Sequence, residues 1–92
     1  MAQRVFRYPI KPPYPSIMEL PQETMWVKFS FAPQSGEVSI WAVVFDNEPL
    51  QKYGIMVVGT GHEVEEDWNY FDTWIDDQGF VWHLFSTPVS NE

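Results

Sequence analysis

Apolar and polar positions alternate along this chain in short runs, broken roughly every ten residues by proline, glycine or acidic and amide side chains. A period of two in such short segments predicts β-strands. "RVFRY" (Arg4 to Tyr8) alternates. "PIKPPYP" (9–15) holds four prolines and predicts an extended edge or connector that cannot donate a full ladder of hydrogen bonds. "SIMEL" is a brief strand stopped by Pro21. "MWVKFSFA" places Trp26, Lys28 and Ser30 on one face and Met25, Val27, Phe29 and Phe31 on the other. After a hairpin turn at "PQSGE", "VSIWAVVF" is apolar on both faces and belongs in the middle of a sheet. "DNEPLQKYG" reads as a polar loop, "IMVVG" as a short buried strand, and "DDQG" as a turn into "FVWHLFS".

Only Val64 to Ile75 fits two periods. Val64, Trp68, Phe71 and Ile75 make a helical stripe, whereas Trp68, Tyr70, Asp72 and Trp74 make one face of a strand. The aromatic and β-branched content favours a strand over 69–75. The expectation is an all-β fold: a single small antiparallel β-barrel or sandwich of six to seven short strands spanning 1–92, with 9–15 as connector and 59–68 as a glycine-rich, acidic loop.

Composition adds three constraints. Five tryptophans and seven phenylalanines in 92 residues are more bulk than so small a core holds, which predicts a homo-oligomer. The absence of cysteine excludes a disulfide framework and thiolate metal sites, and with no signal-like or membrane-spanning segment the expected location is the cytoplasm. The charge of −8 is asymmetric: residues 1–52 carry all five bases and five acids, and residues 53–92 carry eight acids and no base. Double-stranded nucleic acid is therefore not an expected partner, because phosphate binding needs clustered lysine and arginine.

The glycine-dense stretch "VVGTGHEVEED" (Val57 to Asp67) carries the candidate chemistry. Gly59 and Gly61 let the backbone approach a ligand, while Thr60 and His62 offer hydrogen bonds to an anion. Thr-x-x-Glu here also has the form of a helix capping box. It is neither a Walker loop nor a dinucleotide fingerprint, and a plain turn leaving a strand explains the glycines equally well. His62 and His83 lack metal-ligand spacing, and His83 inside "FVWHLF" reads as a hydrogen-bonded sheet histidine. No serine sits in a nucleophile motif, and the acids Glu63, Glu65, Glu66, Asp67, Asp76 and Asp77 fall in predicted loops, so no enzyme, metal or cofactor is expected.

The order "IMEL-P", "SIWAVV", "IMVVGTGHEV" and "GFVWHLF", from Ile17 to Phe85, resembles a group of small phage-encoded β domains with V-V-G-T-G-H and a closing V-W-H-x-F. The resemblance implies an extended loop after G-T-G-H and no helix there. It also implies stoichiometric binding, including antagonism of host defence. "EVEEDWNYFDTWID" and the proline cluster have no counterpart in that group. Two readings follow. In the first, a homo-oligomer sequesters a small nucleotide-like signal, with Gly59, Thr60, Gly61 and His62 on phosphate or ribose and Trp82 or Trp41 stacking the base. In the second, an acidic inhibitor docks Glu63, Glu65, Glu66, Asp67, Asp76 and Asp77 on a basic surface of a host or defence protein.

Overall fold

A computed structural model describes residues 2–45 and 48–89. Seven strands and no helix occur among them: β1 (Gln3–Ile10), β2 (Ser16–Pro21), β3 (Met25–Ala32), β4 (Glu37–Phe45), β5 (Leu50–Gly59), β6 (Asn69–Ile75) and β7 (Val81–Val89). They form two sheets, one in the order β1-β4-β3 and one in the order β2-β5-β7-β6, every neighbouring pair antiparallel. The architecture is a sandwich, not a closed barrel.

The core lies where the apolar faces meet. Val38, Ile40, Ala42 and Val44 alternate inward from β4 and are buried, as are Ile10, Leu20, Phe29, Ile55 and Leu84 from the surrounding strands. As its apolar faces require, β4 runs between β1 and β3. The hairpin at 32–37 closes with the Gly36 amide donating to the Ala32 carbonyl at 2.7 Å. Gly36 adopts φ 75°, a left-handed conformation that favours glycine.

Three expectations need correction. β1 continues through Pro9 and Ile10, because those residues stay in register with Ser39 and Val38, so the connector is residues 11–15. β5 begins at Leu50, because β2 pairs with it from Ile55 back to Leu50; the predicted polar loop is strand over its second half, and Asp46 and Asn47 lie outside the described residues. In β3 a bulge at Val27 sets two residues against one on β4. The bulge shifts the alternation by one, so Trp26 packs on the core together with Phe29 and Phe31, while Met25 and Val27 stand 64% and 52% exposed.

Residues 69–75 form a strand, β6, with its own bulge between Tyr70 and Asp72. The bulge lets Phe71 and Trp74 both pack on the core. It also aims Asp72 across the seam at β3, where Oδ2 accepts from the Phe29 amide at 3.3 Å and pairs with Lys28 Nζ at 3.0 Å. Oδ1 accepts from the Thr73 amide at 2.8 Å. The carboxylate thus occupies a backbone donor on the edge of β3 and ties the two sheets together.

Candidate functional site

The strand order explains the glycine-rich stretch. β5 and β6 are both antiparallel to β7 and lie on either side of it, so they run parallel, and residues 60–68 must cross from the end of one to the start of the other. The chain leaves β5 in a turn at Gly59 to His62, with Gly61 at φ 91° and the His62 amide donating to the Gly59 carbonyl at 3.4 Å. It returns over the outer face of the second sheet. Thr87 Oγ1 donates to the Asp67 carbonyl at 3.0 Å, and the Trp68 ring lies so close to Gly54 that a Cβ there would meet it at 3.1 Å. Gly54→Ala is therefore expected to displace the ring and cost about 1 kcal/mol, read as a lowered unfolding midpoint together with faster amide exchange at Trp68.

No helix starts at Thr60, so the capping geometry is not realised. The Thr60 hydroxyl lies 2.9 Å from His83 Nε2. On the other side of the ring, Nδ1 is 3.0 Å from Thr73 Oγ1, which is 2.6 Å from the Tyr70 hydroxyl. Both imidazole nitrogens are satisfied, and the chain Thr60, His83, Thr73, Tyr70 joins the end of β5 to β7 and β6. His83 is the hydrogen-bonded sheet histidine expected of it. Glu63, Glu65, Glu66 and Asp67 stand exposed along the crossover, and none forms an ion pair with another described residue.

Two cavities lie at the end of the sandwich, between the β3–β4 and β6–β7 hairpins. One, of about 420 Å³, is lined by Pro33, Gln34, Asp76, Asp77, Gln78, Phe80 and Trp82. A second, of about 300 Å³, shares Pro33, Gln34, Asp76 and Asp77 with it and adds Phe31, Ala32 and Trp74, so the two make one groove. Its rings are held in place: Phe31 meets Trp82 edge-on with centroids 4.8 Å apart.

Asp76 organises the groove. Its Oδ1 accepts from the amides of Gln78 and Phe80, both at 2.9 Å, and Oδ2 accepts from the Trp82 indole N–H at 3.0 Å. The Trp82 hydrogen bond, with those amides, holds the Asp76 carboxyl below the usual range against a smaller opposing effect of desolvation. Asp76, expected among the loop acids, thus caps the β6–β7 turn. Because the indole N–H is occupied, Trp82 presents an apolar ring to the groove, and the exposed Asp77 supplies a negative charge beside it.

The whole chain, residues 1–92, matches a family described as a domain of unknown function, DUF7352. The chain belongs to this family. No curated protein and no solved structure matches it. What this DUF7352 chain can do chemically is therefore read from its own side chains. Among the described residues, no three histidines or acids gather to hold a metal, and no helix is long and apolar enough to cross a membrane.

The structure brings part of the expected nucleotide site together: Gly59 is the cross-strand partner of Trp82. Gly59, Thr60, Gly61 and His62 sit at the crossover turn, with the Thr60 hydroxyl on His83. Trp82 turns to the inner side, against the core. Trp41 lies on the outer face of the other sheet, in register between Arg7 and Lys28. Trp82, Asp76 and Asp77, expected in competing sites, come together in the groove. Phe80, Pro33 and Gln34 join them and were not anticipated; the signal available was that two turns, "PQSG" and "DDQG", each carry an apolar or amide side chain beside an aromatic strand.

Proposed function

We propose that this protein is a non-enzymatic binding module that docks on a basic protein surface and takes an arginine or lysine side chain of its partner into the groove at Trp82. The observation that carries this is the pairing of an occupied indole N–H with an exposed acid: Asp76 fixes the ring, and Asp77 stands free on the same wall. A long basic side chain has the matching form, an apolar stem with a charged head, and a cation over an aromatic face gains about 0.5–2 kcal/mol. The exposed acids Glu63, Glu65, Glu66 and Asp67 add a long-range field of the same sign, which favours approach to a basic surface. In a phage setting the partner would be a host or defence protein.

The same charges disfavour the nucleotide reading, because phosphate entering the groove would meet Asp76 and Asp77. Calorimetry separates the two. Short arginine-containing peptides are expected to bind saturably and more weakly as salt rises, while mono-, di- and cyclic nucleotides give no heat. Saturable nucleotide binding that Thr60→Ala abolishes would instead restore the crossover turn as the site.

A further inference from the structure

The strand edges of the sandwich are not equally protected. On β3, the Phe29 amide is taken by Asp72 and the strand is bulged at Val27. β6 is bulged between Tyr70 and Asp72. β2 is six residues long, carries Glu19 and ends on Pro21. Charges, bulges, prolines and short length are the usual means by which an edge avoids pairing with another chain. β1 differs: it is eight residues long, pairs with β4 without a bulge from Gln3 to Ile10, and holds no acid.

The direction of its free backbone groups follows from Pro9. That residue stays in register opposite Ser39, so its nitrogen, which has no hydrogen, faces away from β4. By the alternation of an antiparallel ladder, Gln3, Val5 and Arg7 turn their N–H and C=O groups the same way, outward along an edge that no described strand covers. Val5 is 65% exposed and Phe6 46% exposed on this strand.

We propose that two copies of this chain pair antiparallel through β1, joining their three-stranded sheets into one continuous sheet. A two-fold axis at Val5 sets Val5 against the partner's Val5, Arg4 against the partner's Phe6 and Arg7 against the partner's Gln3. This register keeps paired residues on the same face, sets no arginine directly opposite another and leaves Pro9 outside the new ladder. It also uses a strand with no acid of its own, whose Arg7 is paired with Glu37 of β4, so two chains of charge −8 meet away from the acidic residues 63–77. The contact is isologous and closes at two copies, which accounts for exposed apolar side chains on an edge without implying fibres. It is independent of the groove, which lies between other hairpins.

Sedimentation equilibrium with the full chain, combined with amide exchange, tests this. The expected result is a concentration-dependent dimer, with exchange at Gln3, Val5 and Arg7 slowing as dimer forms. Val5→Pro removes an outward N–H that β4 does not use, and Val5→Lys places a charge on the edge; a folded variant of either kind, with an unchanged circular dichroism spectrum, is expected to be monomeric. A wild-type protein that stays monomeric at its highest soluble concentration overturns the proposal. So does a dimer that persists in the folded variants, or one whose protected amides lie on β2, β3 or β6.

Discussion

Asp72→Ala is expected to lower stability by about 1–3 kcal/mol, because it leaves the Phe29 amide without its acceptor at a seam where no strand can replace it. Lys28→Ala should cost less, under about 1 kcal/mol, since the ammonium is half exposed and surface pairs contribute little. Asp72→Asn should fall between them, keeping an acceptor and losing the charge. Chemical denaturation of the three variants orders these contributions. A cost for Lys28→Ala equal to that of Asp72→Ala would show that the ion pair, and not the backbone hydrogen bond, joins the sheets.

Desolvation pushes the Asp72 carboxyl up, but the hydrogen bond from Lys28, the amides of Thr73 and Phe29 and the Lys28 charge outweigh it, leaving its pKa below the ordinary value of 3.8. A carboxyl whose pKa is depressed on folding adds stability that is fully present above its unfolded pKa and is lost as pH falls through the folded value. Wild-type stability should therefore fall from about pH 4 downward. Asp72→Asn should show a shallower acid limb, the remaining slope coming in part from Asp76, whose pKa is also depressed.

Trp82→Ala is the variant expected to affect binding most. Trp82 lines the groove and is fixed by Asp76 and Phe31, so a basic side chain seated there would lose its apolar floor and its ring face together. A central aromatic anchor carries on the order of 2 kcal/mol or more, about a 30-fold loss in affinity. Asp77→Asn should weaken binding less and reduce its salt dependence, because it removes charge and keeps shape. Asp76→Asn is expected to act through the ring, altering the Trp82 indole N–H resonance even without ligand.

Most of the strand pattern was legible because each strand keeps its own period: β4 reads apolar on both faces and lies between two neighbours, and "DDQG" marks the β6–β7 turn. What local pattern could not convey was phase. "MWVKFSFA" alternates without a break, yet the bulge at Val27 turns Trp26 inward and leaves Met25 exposed. The start of β5 was hidden for a related reason, since "LQKYG" looks polar until its pairing with β2 is known. The roles of the acids depend on contacts distant in sequence. Asp72 meets Phe29 forty-three positions away, and nothing local distinguishes it from Asp77. Likewise Trp82 could be named as a binding aromatic, but its neighbours Pro33 and Gln34 come from another hairpin.

The proposed seating of a basic group at Trp82 is read most simply at the ring itself. Nitrogen-resolved NMR of the uniformly labelled chain, titrated in parallel with an arginine-containing peptide and with a nucleotide mixture, tests it most directly. The peptide is expected to shift the Trp82 indole and the amides of Gln34, Asp77 and Phe80 saturably, with Thr60 to His62 unmoved and the nucleotides silent. Shifts confined to Gly59, Thr60, Gly61 and His62, or a groove that responds to neither titrant, would contradict it.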